Sequence, residues 1–327
     1  MDVMVEILKR ARMLDEKVLS YLEGGEPDKL VKAVRHYPEA GGKRLRPVLA
    51  MVVADAISGD SEKVLPLACS LEIIHNFTLI HDDVMDDDPM RRGRPAVHAL
   101  FDMPTAIIAG DAMFARAFEV LAMTEVPHGR MRELFTLVAH TVWEIAEGQQ
   151  LDIDFENSDT VTVDRYLNMI EKKTAVLFAC AAKGAAIVSS GTEDQERMMW
   201  EYARLLGLGF QIWDDILGIT ADQEKLGKPV GSDIRNGKRT MIVLHALENA
   251  DAERRELLLS ILGREDASDE EIAMAIQTLD YVGSIGFARE RALEYADRAI
   301  ECLECLDDSE SKDLLRELVV YSVKRDL

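Results

Sequence analysis

The sequence predicts an all-α fold: one domain over residues 1–327, built as a bundle of about ten or more helices around a central apolar cavity. Three observations carry this. Apolar residues recur at helical spacing along the chain, beginning with Val3, Ile7, Ala11, Leu14, Val18 and Leu22. No alternating strand pattern of useful length interrupts them. No Pro- or Ser-rich stretch divides the chain into separate bodies. Aromatics make up only 6% of the residues and Met is plentiful (15), a balance that leans helical.

In chain order, Gly24-Gly25 closes the first helix, over residues 2–22. A short helix through Val31–Val34 leads to Gly41-Gly42-Lys43-Arg44-Leu45-Arg46-Pro47, where Lys43 and Arg46 are expected on one helix face. Backbone N–H groups at a helix start suit an anion; taken alone, a solvated basic turn explains this stretch better. One long apolar helix follows from Pro66 to Met85, then helices over 104–123 and 129–151. A single helix over 162–190 holds Lys172-Lys173-Thr174 in an Ala-rich setting, and another over 193–218 ends in Gly209-Phe210-Gln211-Ile212-Trp213-Asp214-Asp215. After a polar loop come amphipathic helices near 239–249, 251–263, 268–281, 283–305 and 309–325.

Whole-chain properties narrow the function. A net charge of −22 argues against nucleic acid or an anionic membrane as the main partner. No run of about 18 apolar residues is evident, so no transmembrane segment is expected. Met1–Glu6 lacks a signal-peptide pattern. Of the four cysteines (Cys69, Cys180, Cys302, Cys305), the last two form a lone C-x-x-C with no second pair to complete a zinc site. A reduced, cytoplasmic protein is expected.

The chemistry concentrates where the Pro66–Met85 helix ends. Asp82, Asp83, Asp86, Asp87 and Asp88 put five carboxylates in seven residues, and Arg91, Arg92 and Arg94 follow. Asp82 and Asp86 are one helical turn apart, where like charges repel, and the helix dipole is negative there too. A solvated acidic turn has this composition as well. The second acid pair, Asp214-Asp215, repeats the arrangement on a distant apolar helix and favours a site. Facing helices of a bundle are where metal and ligand sites are built. Oxygen-only ligands point to Mg²⁺, which shares its shell with waters and phosphates. The pattern therefore suits a ligand with a diphosphate head and a hydrocarbon tail. Mg²⁺ would pull charge onto the departing diphosphate while apolar walls keep water from a carbocation.

These residues resemble the trans-isoprenyl diphosphate synthases, an isoprenoid synthase-like fold, from Gly42 to about Lys238. Asp82-Asp83-Val84-Met85-Asp86 with Arg91-Arg92-Gly93 is similar to the family's first aspartate-rich motif. Gly42-Lys43-Arg44-x-Arg46-Pro47 is similar to its isopentenyl diphosphate motif, and Phe210-Gln211-Ile212-x-Asp214-Asp215 to its second acid motif. The resemblance implies that Asp82 and Asp86 coordinate Mg²⁺ on the allylic diphosphate with Asp83 in support. Asp214 would hold a further Mg²⁺ from the opposite wall, backed by Asp215. It implies Arg91, Lys173 and Lys228 on the allylic diphosphate, Lys238 as a lid residue, and Lys43, Arg46, His75 and Arg92 on isopentenyl diphosphate. Thr174 and Gln211 would stand near the reacting carbons.

The resemblance further implies a homodimer using dimethylallyl, geranyl or farnesyl diphosphate. Ile74, Phe77 and Thr78 would form the pocket floor that limits product length. Ideal helix geometry, at roughly 100° per residue, puts Thr78 under the acid face and Phe77 well round the side; Phe77 as the stop comes from the resemblance. A bulky Phe77 beside a small Thr78 suggests a C20 product, geranylgeranyl diphosphate, with a farnesyl or a bifunctional C15/C20 synthase as alternatives. One departure stands out: the family's second motif often ends in a third aspartate, and position 218 is Gly. The rivals are a class I terpene cyclase, a non-catalytic subunit of a heteromeric synthase and a bare diphosphatase. Lys43-Arg46 and the second acid pair argue against the first, both acid motifs against the second, and the apolar helices against the third.

Overall fold

Short polar residues ahead of apolar runs set where many of the helices begin. Asp102 accepts from the Thr105 N–H at 2.7 Å, Thr162 from Arg165 at 3.3 Å and Asp251 from Arg254 at 2.9 Å. Ser268 and Glu271 form a reciprocal capping box. The computed structural model describes residues 3–127, 129–156, 158, 160–220 and 231–324.

The helices are α1 (Val3–Tyr21), α2 (Asp28–Arg35), α3 (Leu45–Ser58), α4 (Leu65–Met85), α5 (Val97–Leu100), α6 (Met103–Leu121), α7 (Met131–Glu156) and α8 (Val163–Ile170). They continue as α9 (Val176–Val188), α10 (Glu193–Thr220), α11 (Ser232–Arg235), α12 (Met241–Asn249), α13 (Ala252–Ile261), α14 (Asp269–Tyr281), α15 (Ser284–Cys302) and α16 (Glu310–Lys324). The all-α class holds; among the described residues the only strands are Met90–Arg91 and Arg94–Pro95, paired as a hairpin just past the first acid motif. The four thiols are free, so the C-x-x-C pair carries no disulfide.

By packing, the chain divides into two compact units. Unit one comprises residues 1–142, 177–201 and 302–318, and unit two residues 143–176, 202–301 and 319–327. In unit one, α4 packs on α1, α3 and α6. Leu67, Leu71, Ile73, Ile74 and Ile80 are fully buried, so α4 is apolar round most of its circumference. Contrary to expectation, one stretch, Ser61–Met85, is long and apolar enough to cross a membrane by length and composition; 67% of its apolar window is buried inside the protein, as in a core helix. The α4–α6 contact is close at Gly110, where a Cβ would lie 2.1 Å from His81 Nε2.

In unit two, the helix expected over 162–190 is broken: α8 runs into a π-turn, Glu171–Ala175, before α9 begins. The extra residue in that turn re-aims the side chains around it, a feature frequent at functional sites. Its backbone lies against Gly148 of α7, where a Cβ would come within 2.3 Å of the Lys173 nitrogen. Because backbone cannot step aside as a side chain can, Gly148→Ala is expected to cost about 1–3 kcal/mol. Urea unfolding of the purified variant checks this; an unchanged midpoint would show the turn giving way freely.

Candidate active site

At the first acid motif the carboxylates separate into two environments. Asp82 lies in the last turn of α4, and Asp86 follows the helix, its N–H donating to the Asp82 carbonyl at 2.8 Å. One helical turn therefore carries both, with Asp82 half-buried and Asp86 exposed. Asp83 points inward and is fully buried. It accepts from the Tyr37 hydroxyl and from Arg91, whose Nε donates at 2.9 Å. Burial, then the hydrogen bond to Asp83, pushes the Tyr37 phenol well above its ordinary value, so it stays a donor. Arg91, expected on a diphosphate, here neutralises Asp83.

The basic residues of unit one are divided in the same way. Helix α3 begins at Leu45, so Lys43 lies exposed in the loop before it rather than on a shared helix face with Arg46. Arg44 adopts a left-handed backbone (φ 48°) and turns into the core, pairing with Glu72 at 2.6 Å, Asp15 at 2.7 Å and the Pro38 carbonyl at 2.7 Å. Arg46 goes the other way: its guanidinium stacks 4.3 Å over the Phe178 ring and Nη1 donates to His75 Nε2 at 3.4 Å. Arg92 reaches the same loop, Nη1 donating to the Gly41 carbonyl at 2.6 Å. A Cβ on Gly42 would stand 3.2 Å from that nitrogen.

Positive charge outweighs negative here. Burial, reinforced by the charges of Arg46, Arg92, Arg44 and Arg91, holds His75 well below the ordinary imidazole value and hence neutral. Burial, with Arg92 adding to it against Glu72, lowers Arg46 to about 10. The buried Arg46 Nε finds no hydrogen-bond partner among the described residues. A group of guanidiniums this short of counter-charge is suited to a multivalent anion.

The three residues expected at the pocket floor do different things. Ile74 is fully buried, and Thr78 bonds back to the His75 carbonyl at 2.8 Å. Phe77 lies round the side, as helix geometry requires, with its ring edge-to-face against Phe114 (5.6 Å) and His81 (6.0 Å).

Unit two holds a cavity of about 220 Å³ lined, among others, by Lys173, Thr174, Gln211, Asp214, Asp215 and Lys238. The π-turn aims Lys173 at Asp152 (2.6 Å), while Lys172 pairs with Glu147. A hydrogen-bond chain runs along one wall. Thr174 donates to Gln211 Oε1 at 3.1 Å, Gln211 Nε2 donates to Asp215 Oδ1 at 3.0 Å, and the Tyr166 hydroxyl donates to Asp215 Oδ2 at 2.5 Å. Burial, and next the charge of Asp233, push Asp215 up to about 7, against its hydrogen bonds from Tyr166 and Gln211. Asp214 lines the same cavity, half-buried. Lys228 lies outside the described residues.

Sequence reasoning did not single out Tyr37, Tyr166, Asp152 or Asp233. Each acts through a partner far away in sequence, and no local pattern marks it. Gln149 is also buried with both amide atoms unpartnered among the described residues; its place beside Gly148 in the run Glu147-Gly148-Gln149-Gln150 was the available signal. The oxygen-only donor set fits Mg²⁺. Among the described residues no three His, Cys, Asp or Glu side chains converge on a ready-made metal position. Mg²⁺ needs no such cage, since it takes one or two carboxylates together with waters and substrate phosphates.

Residues 27–279 match the Polyprenyl synthetase family. The chain belongs to that family. It is a prenyltransferase, of the trans-isoprenyl class that the motifs resemble. The chain is 43% identical over 322 residues to a geranylgeranyl pyrophosphate synthase of Geoglobus acetivorans, covering 98% of this chain and 99% of that protein. It is 41% identical over 335 aligned positions to a geranylfarnesyl diphosphate synthase of Natronomonas pharaonis, covering 98% and 96%. The crystal structure of geranylgeranyl pyrophosphate synthetase from Pyrococcus horikoshii superposes with a TM-score of 0.95 at 39% identity, covering 99% of each chain. The family member from Corynebacterium glutamicum, a geranylgeranyl pyrophosphate synthase solved with isoprenyl diphosphate and magnesium, superposes at 0.89 with 26% identity, covering 99% and 100%.

Proposed function

We propose that the chain catalyses the Mg²⁺-dependent head-to-tail condensation of isopentenyl diphosphate with an allylic diphosphate, with C20 geranylgeranyl diphosphate as main product. The segregation of charge in unit one carries this reading. Asp82 and Asp86 offer carboxylates for a metal-bound diphosphate, while Arg46, His75 and Arg92 form a separate group short of anions. Two diphosphate heads, one held through metal and one by cations directly, account for both. When bound, Mg²⁺ draws negative charge onto the leaving diphosphate.

The remaining tasks fall to side chains. Asp82, Asp86 and Asp214 would hold the metal, with Asp83 and Asp215 in support. Arg91, Lys173, Lys228 and Lys238 would receive the allylic diphosphate, and Lys43, Arg46, His75 and Arg92 the isopentenyl diphosphate. Thr174 and Gln211 turn oxygens toward developing positive charge and are held in register by Asp215 and Tyr166. The proton lost after coupling goes to the released diphosphate, so no side-chain general base is required. Incubation with Mg²⁺, isopentenyl diphosphate and farnesyl diphosphate is expected to yield a linear C20 diphosphate. Cyclised product, or hydrolysis without elongation, would overturn the reading.

Product length rests on the names of the relatives and on Phe77. A geranylfarnesyl synthase among those relatives makes C25 the nearest alternative, with farnesyl and bifunctional C15/C20 products beyond it. Phe77→Ala, which would open the floor beside Phe114, is expected to lengthen the main product by at least one C5 unit. Chromatography of dephosphorylated products reads this out; an unchanged length removes Phe77 from the pocket. We also propose a cytoplasmic homodimer. The half-exposed apolar side chains of Met103, Ile107, Ile108 and Phe114 on α6 support an association surface.

A further inference from the structure

We propose that Phe178 is a positioning residue for isopentenyl diphosphate: its ring carries the Arg46 guanidinium on an uncharged face, holding the cation in place without neutralising it. This rests on the reading of Arg46 as a diphosphate ligand. Its neighbours are held differently. Arg44 pairs with Glu72 and Asp15, and Arg91 pairs with Asp83, so the charge of each is largely cancelled within the protein. Among the described residues Arg46 pairs with no carboxylate. Its Nη1 donates to the neutral His75 imidazole at 3.4 Å, and its guanidinium carbon stands 4.3 Å over the Phe178 ring. Its Nε is buried and unpartnered among the described residues.

A buried guanidinium is ordinarily paired, because taking a lone charge out of water is costly. An aromatic face offsets part of that cost through its quadrupole, which carries no net charge. The field of the cation therefore still reaches a diphosphate, whereas a carboxylate in the same place would cancel it. The ring also sets direction. Phe178 lies in the first turn of α9 and is 1% exposed, so the guanidinium rests on a wall that the helix backbone holds. With an alkyl side chain in place of the ring, the attraction of Glu72, whose charge already reaches Arg46, would draw the guanidinium toward the core. Isopentenyl diphosphate would then have to pull it back, which weakens binding of that substrate and not of the allylic one.

Steady-state kinetics with each substrate varied in turn, alongside thermal melting, tests this. Phe178→Leu is expected to raise KM for isopentenyl diphosphate about tenfold, equivalent to about 1.4 kcal/mol, with kcat and KM for farnesyl diphosphate within about threefold of wild type. Leucine also changes packing, so Phe178→trifluorophenylalanine gives the sharper comparison: the ring keeps its shape while fluorine withdraws charge from its face. KM for isopentenyl diphosphate should rise again with the melting midpoint unchanged, and Phe178→monofluorophenylalanine should fall between it and wild type. If Phe178→Leu does not fold, the fluorinated variants decide alone. Arg46→Gln is the control. An unchanged KM for isopentenyl diphosphate in Arg46→Gln would overturn Arg46 as its ligand. A raised KM in Arg46→Gln, with the fluorinated variants unchanged or with both substrates affected alike, would overturn the role given to Phe178.

Discussion

Asp82→Asn and Asp214→Asn are each expected to lower kcat/KM by roughly 10³-fold or more, with the thermal midpoint little changed. Both side chains are half-buried; Asp82 lies in the last turn of α4, where the helix dipole already carries partial negative charge, and Asp214 stands beside the carboxylate of Asp215 on α10. Removing a carboxylate there relieves repulsion in the unliganded protein, so folding does not suffer. On the proposed reading each carboxylate would hold metal that takes up charge on the leaving diphosphate, an interaction that strengthens toward the transition state, so the rate is expected to fall. If the two aspartates serve one event, the double variant will be far less impaired than the product of the single effects. Single-turnover assays over a range of Mg²⁺ concentrations measure this, with chelator treatment of the wild type as the reference for complete loss. Activity within tenfold of wild type in either single variant would remove that residue from the metal site.

Arg44→Met is expected to destabilise the protein by about 3–5 kcal/mol and to act on turnover only through folding. Arg44 and Glu72 are both 2% exposed at the side chain and pair at 2.6 Å. Taking away the cation leaves a carboxylate in the core whose remaining side-chain partner is the Asn76 amide, at 2.8 Å. An unpaired buried charge is costly in a way that the intact pair is not. Arg44→Met/Glu72→Gln should therefore recover much of the loss, since Gln keeps a partner for Asn76 and carries no charge. Chemical denaturation of the three proteins gives the coupling directly. A single variant within 1 kcal/mol of wild type would show that water reaches Glu72.

Arg44 and Arg46 show how far the amino-acid order can be read. Two residues apart in one motif, they are chemically identical, and nothing local says which one faces a substrate. The left-handed backbone at Arg44 sends it to Glu72 and Asp15, while Arg46, in the helix that follows, stacks on Phe178. Asp83 is a similar case. Within a run of acids nothing local sets it apart from Asp82 and Asp86, yet Tyr37 and Arg91 hold it in the core. The π-turn at Lys173 was hidden as well, because an apolar pattern of helical period does not register one extra residue in a turn.

The order of residues by itself determined the all-α class, most helix limits to within a few residues, the two acid-ended helices and the family to which they belong. Those properties are local: a period of 3.6, a capping residue or a charge run is complete within a few turns of chain. Tertiary structure alone decided which carboxylates and guanidiniums are buried partners and which face a cavity. Such choices depend on which distant side chains meet, and burial then sets whether a charge is neutralised or left to bind.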